Sequence, residues 1–229
     1  MRKYTILLAD LDNTLLDFSA SESEAVGRLF TYFGTEPTKE LKKAYSAYND
    51  ALWKRLERKE ITRRQLIDTR FEGFFKERNI KGDGALAAEL YEKYLSESAI
   101  FIDGAKELIN RCRGKIGFYI ISNGTARVQL PRLAASGLDK AADGYFISEL
   151  VGVNKPDRLY FDRVTANIPG FSVDNALILG DSLTADIEGG KRYGVDTCFF
   201  DRKGNTPTGG IKPDYTINKL DEIYSILNI

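Results

Sequence analysis

Asp10 and Asp12 stand where the apolar run Ile6-Leu7-Leu8-Ala9 stops. Two carboxylates one residue apart at the end of a buried strand cost free energy unless a counter-charge or a metal compensates them. Such a pair can be a metal site, a general acid and base, or a nucleophile. Similar polar endings recur along the chain. The Ile116 run is followed by Ser122-Asn123-Gly124-Thr125, and the Ala176 run by Gly180-Asp181-Ser182, with Asp186 in the next helical pattern. Lys155 precedes Pro156 at a helix start. A Ser-Asn-Gly turn that opens a helix exposes backbone N–H groups to an anion, most naturally a phosphate, and Thr125 reads as the cap of that helix rather than as a ligand. Carboxylates gathered at one sheet edge repel one another unless a cation lies among them, and Mg²⁺ suits oxygen ligands.

The 229 residues contain no histidine. That excludes Ser-His-Asp and Cys-His catalysis, histidine-ligated zinc and an imidazole base, so proton transfer falls to Asp, Glu, Lys, Tyr or Cys. Lys plus Arg and Asp plus Glu number 33 each, giving a formal net charge of zero and no field to attract a nucleic acid polymer or an anionic membrane. The basic stretch 54–64 is broken by Glu57 and Glu60 and reads as a solvated helix face. The opening apolar run is too short for a signal-peptide core or a membrane span. Cys112 and Cys198 lie far apart among apolar neighbours and read as buried fillers, with a reducing cytoplasm as the expected location. Monomer and small homo-oligomer are both compatible with the composition.

The elements that must position these side chains follow from the hydrophobic pattern. Strands are expected over 4–10, 116–122, 144–147, 176–181, 197–201 and 214–217. Helices are expected over 105–113, 126–136, 157–166, 183–193 and 220–227. Alternation of apolar strands with amphipathic helices means a parallel sheet covered on both faces, and ligands bind outside the carboxyl ends of such strands. Residues 17–98 break the alternation with about four helical segments and no strand, and read as an inserted helical domain. Ser21 and Thr62 are its expected N-caps, each followed three residues on by Glu24 or Gln65. Residues 202–213, rich in Gly and Pro, are expected to form a loop.

In order, Asp10-x-Asp12-x-Thr14, Ser122-Asn123, Lys155-Pro156 and Gly180-Asp181-Ser182-x-x-x-Asp186 resemble the four signature motifs of the haloacid dehalogenase-like hydrolase superfamily. The resemblance spans essentially the whole chain. It implies a Rossmann-like α/β core, a parallel sheet flanked by helices, from residues 1–16 and 99–229, with 17–98 as a helical cap of the superfamily's first type. It further implies an Mg²⁺-dependent phosphomonoesterase in which Asp10 is the nucleophile and forms an aspartyl-phosphate. Asp12 would protonate the leaving oxygen and then activate water. Asp181 would bind Mg²⁺ with a carboxylate of Asp10 and the backbone carbonyl of Asp12, and Asp186 would hold the metal's water shell. Thr14, Ser122, the N–H of Asn123 and Lys155 would hold the phosphate. Compensating positive charge is essential to that chemistry, because two unit charges about 4 Å apart repel by on the order of 4 kcal/mol at an effective dielectric of 20.

Asp12 also bears on the reaction. Members that dehalogenate 2-haloacids lack an aspartate at this position, whereas phosphatases and sugar-phosphate mutases keep it. Stretches 48–53, 60–62, 70–72 and 147–156 resemble bacterial noncanonical pyrimidine nucleotidases, which implies a nucleoside 5′-monophosphate as substrate. Trp53, Arg70 and Phe71 are then candidate contacts to base or ribose. The alternatives are a 2-haloacid dehalogenase, a phosphatase or phosphomutase of sugar phosphates, and a binding protein that has lost turnover.

Overall fold

The computed structural model describes residues 3–202, 204 and 210–229. The sequence-predicted loop 202–213 therefore lies in part outside the described residues. The chain divides into two compact units, Met1–Asp17 with Ile100–Ile229, and Phe18–Ala99.

Strand β1 (Ile6–Asp10) is buried at every position, as a strand inside a parallel sheet must be. The second unit follows it as four helices: α1 (Phe18–Tyr32), α2 (Lys39–Glu57), α3 (Arg63–Arg78) and α4 (Gly84–Ser96). The first unit then resumes with α5 (Ala105–Cys112), β2 (Gly117–Ser122), α6 (Ala126–Ser136), α7 (Leu138–Ala141), β3 (Gly144–Ile147), α8 (Ser148–Val151) and α9 (Arg158–Thr165). It closes with β4 (Ala176–Gly180), α10 (Gly189–Tyr193), β5 (Asp196–Phe200), β6 (Tyr215–Ile217) and α11 (Ile223–Leu227). A π-helical turn, Leu183–Glu188, leads into α10, and a 3₁₀ turn, Leu220–Glu222, leads into α11.

All six strands are parallel, in the order β3-β2-β1-β4-β5-β6. Ile6 is paired with Gly117 on one side and Ala176 on the other. One sheet face carries Ile6, Leu8, Ile121 and Ile178, and α9 covers it with Tyr160 and Phe161 in the same buried cluster. Strand order reverses beside β1, with β2 and β3 to one side and β4 to β6 to the other. This switch point is where an open parallel sheet forms a crevice outside its carboxyl ends. Asp10, Ser122 and Gly180 are the last residues of the three strands that meet there.

In the helical unit, Thr62 caps α3 with the full reciprocal arrangement: its Oγ1 accepts from Gln65 N–H at 3.2 Å, and its own N–H donates to Gln65 Oε1 at 2.9 Å. Ser21 does not cap α1. That helix begins at Phe18 and holds Ser21 inside it, buried, with its Oγ accepting from Ser98 Oγ at 3.0 Å. The buried stripe Ser21, Glu22, Ala25, Val26, Leu29, Phe30 explains the earlier start, because packing that face extends the helix one turn beyond the local capping signal. Tyr45 stacks on Phe71 with centroids 5.0 Å apart, and Phe74 and Tyr91 meet Tyr45 edge-on. A polar chain runs through this core. Asn49 Nδ2 donates to Glu22 Oε1 at 2.8 Å, and Arg70 Nη1 donates to Asn49 Oδ1 at 3.2 Å. Burial raises the Glu22 pKa, opposed by hydrogen bonds from its neighbours and by the Arg70 charge.

Cys112 and Cys198 are buried and unpaired, and burial pushes both thiols up to about 12, so neither is a ready nucleophile. Among the described residues no helix is long and apolar enough to cross a membrane.

Candidate active site

Lys155 is the centre of the buried charge at the switch point. Its ammonium donates to Asp10 Oδ1 at 2.7 Å, to Asp186 Oδ1 at 2.7 Å and to the Ile121 carbonyl at 3.0 Å, which uses all three of its protons. Burial alone would strip the charge from this lysine. Asp10 and Asp186 outweigh burial and hold it protonated, above its ordinary range. Burial also dominates at Asp10, pushing its carboxyl up to about 7; the Lys155 ammonium opposes this, and the carboxylates of Asp186 and Asp12 add to it. Asp181 is raised well above the usual carboxylate range, by burial first and then by Asp10 and Asp186.

Each of these side chains is held by a local device. Asn123, at the end of β2, accepts from Lys155 N–H through Oδ1 and donates to the Lys155 carbonyl through Nδ2, both at 2.9 Å. Its amide therefore ties the Lys155 loop to the sheet, while its backbone N–H stays in the turn that opens α6. Asp186 lies in the π-helical turn that follows β4, and its Oδ2 accepts from Ser182 N–H at 3.1 Å. π-helical turns are rare and cluster at functional sites. Gly180 is required here because a Cβ at that position would run into the Asp186 carboxylate. Gly180→Ala is expected to lower stability by about 1–3 kcal/mol through overpacking and to displace Asp186 from Lys155. Urea unfolding and turnover measured together check this, and unchanged turnover would refute the displacement.

The turn after β1 carries Asp12, Asn13 and Thr14. Asn13 has φ of 60°, in the left-handed region that asparagine tolerates better than most residues. Thr14 is fully buried and its Oγ1 has no hydrogen-bond partner. Asp12 is clamped from α6: Gln129 Nε2 donates to its Oδ2 at 2.6 Å and Arg132 Nη1 to its Oδ1 at 2.5 Å. Sequence reasoning passed over both clamp residues. Their signal was a polar pair on the packed face of α6, where Val128, Gln129, Arg132 and Leu133 are the buried positions. Ser122 is buried, and its Oγ accepts from Gln129 Nε2 at 2.9 Å. Thr125 occupies the cap position of α6 without a capping bond from its side chain, and Ala126 N–H donates instead to Glu149 Oε2 at 2.7 Å.

Carboxylate oxygens of Asp10, Asp181 and Asp186 lie within 4.8 Å of one another. The donor set is all hard oxygen, with no nitrogen or sulfur, which fits Mg²⁺ and disfavours zinc or copper. With all three carboxylates ionised, the one ammonium leaves two negative charges, which a dication balances. The Asp12 carboxylate is outside this group and is engaged by Gln129 and Arg132.

The other sequence candidates lie in the helical unit. Phe71 is fully buried in its aromatic core, and Arg70 is buried with its guanidinium 4.5 Å from the Tyr91 ring centroid. Trp53 is half-buried against the cluster of Leu52, Leu56 and Leu66.

Comparison with known proteins agrees with this geometry. Residues 4–194 match the family model of haloacid dehalogenase-like hydrolases. The chain is 42% identical to the HAD-hydrolase YfnB of Bacillus subtilis, over 100% of this chain and 97% of that protein. A magnesium-bound crystal structure of YfnB superposes with a TM-score of 0.93 at 40% identity, covering 100% of both chains. Pyrimidine 5′-nucleotidase PynA of Streptococcus pneumoniae is 35% identical over 98% of this chain and 95% of its own. Pyrimidine 5′-nucleotidase YjjG of Escherichia coli is 31% identical over 98% of both. The chain belongs to the haloacid dehalogenase-like hydrolases.

Proposed function

We propose that this hydrolase is an Mg²⁺-dependent phosphomonoesterase that releases phosphate from nucleoside 5′-monophosphates, pyrimidine nucleotides in particular. The observation that carries the reaction class is the buried Asp10 carboxylate, bonded to the Lys155 ammonium and grouped with Asp181 and Asp186, with Asp12 two residues on. The nucleotide preference rests on similarity along nearly the full chain to two proteins named pyrimidine 5′-nucleotidases.

In this reading Asp10 attacks phosphorus, its Oδ–P bond forming as the bond from phosphorus to the leaving oxygen breaks. Asp12 gives its proton to that oxygen. Asp12 then takes a proton from water as the water oxygen attacks phosphorus, which releases inorganic phosphate and restores the Asp10 carboxylate. Ser122, Thr14 and the N–H of Asn123 bind the phosphate oxygens, and the Lys155 ammonium, held against Asp10, offsets the charge that gathers there. Asp10, Asp181, Asp186 and the Asp12 carbonyl would hold the metal, which supplies further positive charge at the phosphate. Choice of leaving group is assigned to the inserted helical segment 17–98 acting as a cap. Trp53, which keeps exposed surface, is its first candidate contact, ahead of the buried Arg70 and Phe71.

Purified protein should release phosphate from pyrimidine nucleoside monophosphates with Mg²⁺ and not with chelator. Protons compete for the same carboxylates, and Asp10 and Asp181 hold theirs to unusually high pH. The Mg²⁺ concentration for half-maximal rate should therefore rise as pH falls from 8 toward 6. Absence of metal-dependent release from a broad panel of phosphomonoesters would sink the proposal. Halide release from 2-chloropropionate without metal would instead favour the dehalogenase alternative.

A further inference from the structure

Gln129 and Arg132 place two fully buried polar side chains directly behind Asp12 and Ser122, with relative exposures of 2% and 0%. The orientation of the Gln129 amide follows from its neighbours. Arg132 can only donate, so the atom it meets at 2.8 Å must be Gln129 Oε1. The amide nitrogen then faces the other way, and its two protons go to Asp12 Oδ2 at 2.6 Å and Ser122 Oγ at 2.9 Å. Arg132 reaches the second Asp12 oxygen itself. Both oxygens of Asp12 are therefore held from one helix. Ser122, already accepting from Gln129, has its own hydroxyl proton left to donate elsewhere. Gly124 makes room for this arrangement, because a Cβ there would lie 2.7 Å from Gln129 Nε2.

We infer that Gln129 and Arg132 are positioning residues that lock the Asp12 carboxylate for proton transfer to the leaving group. The inference rests on the phosphomonoesterase reading and on Asp12 as its acid and base. It adds that a bond network from α6, outside the four motifs, sets the geometry of that proton transfer.

Leaving-group dependence tests it. The value of kcat/KM reports the steps up to phosphorylation of Asp10. An alkyl ester such as a nucleoside monophosphate needs a proton on its leaving oxygen in that step, and p-nitrophenyl phosphate does not. In Gln129→Leu and in Arg132→Lys, kcat/KM for the nucleotide should fall about tenfold or more, with a much smaller fall for the aryl ester. The aryl ester should also give a burst of p-nitrophenol before slow turnover, as dephosphorylation loses its positioned base. Thermal unfolding verifies that each variant is folded at the assay temperature, and Gln129→Glu, which keeps the shape and the acceptor for Arg132 but removes the donor to Asp12, replaces Gln129→Leu if that variant is not. Equal loss on both esters, or none, overturns the inference. Wild-type protein inactive on both esters would sink the phosphomonoesterase reading itself, a separate outcome.

Discussion

Asp10→Asn should abolish turnover, by about 10⁴-fold or more, while leaving a folded protein. The amide is nearly isosteric but lacks the carboxylate oxygen assigned to attack phosphorus, and the other carboxylate on Lys155, Asp186, is tied by its second oxygen to the Ser182 N–H. Folding should survive because Lys155 keeps Asp186 and the Ile121 carbonyl as partners. A stability signature accompanies the loss. In the folded protein the Asp10 pKa is raised to about 7 from 3.8, with burial the first cause. For a carboxyl raised in this way, the ionised form is disfavoured on folding. Its destabilising contribution is absent below the unfolded pKa and grows as pH rises to the folded one. In the presence of chelator, the wild type should therefore lose stability between about pH 4 and pH 7, and Asp10→Asn should lose less across that window. Urea unfolding at several pH values, paired with a phosphate-release assay, measures both effects. Residual turnover near the wild-type rate would remove Asp10 as nucleophile whatever the substrate.

Lys155→Met should be the most destabilising single change at the site, by about 3–5 kcal/mol. Methionine fills similar volume, so the loss is electrostatic. It leaves the buried carboxylates of Asp10 and Asp186, and the Ile121 carbonyl, without their shared donor. The pH dependence separates this from a packing defect. The Lys155 pKa is raised on folding, so its contribution is fully present below its unfolded value of 10.5 and is lost only as pH rises through the higher folded value. Between pH 6 and 9 the lysine itself does not titrate. The deficit of Lys155→Met should instead narrow as pH falls toward 5, where Asp10 takes up a proton and no longer needs a counter-ion. A deficit that stayed constant from pH 8 to pH 5 would indicate lost packing and contradict the electrostatic account. Turnover should be lost as well, since Lys155 is the ammonium assigned to offset charge at the phosphate.

Much of this site was legible because its residues sit at strand ends. A buried strand announces itself by an unbroken apolar run, and the first polar residue after the run marks the carboxyl edge of the sheet. Asp10, Ser122 and Asp181 are of that kind. The absence of histidine needed no structure at all, and it left proton transfer to Asp, Glu, Lys, Tyr or Cys. Parallel topology followed from strand–helix alternation. By contrast, Ser21 misled, because a capping signal is worth about 1 kcal/mol and the buried stripe of α1 outweighs it. The single helix expected over 183–193 is a π-helical turn joined to α10, and only that widened turn brings Asp186 back against Gly180.

The order of residues by itself determined which groups could do chemistry and that they would gather along one sheet edge, since both follow from local pattern and the period of a strand. Only the tertiary structure decided which group serves which. Asn123 binds the Lys155 backbone through its side chain. Gln129 and Arg132 reach Asp12 across intervals of 117 and 120 residues. Lys155 meets Asp10 across 145 residues. The physical reason is that such bonds have no sequence period: they exist because β1, β2 and β4 lie side by side, and burial then leaves each polar group with few partners it can reach.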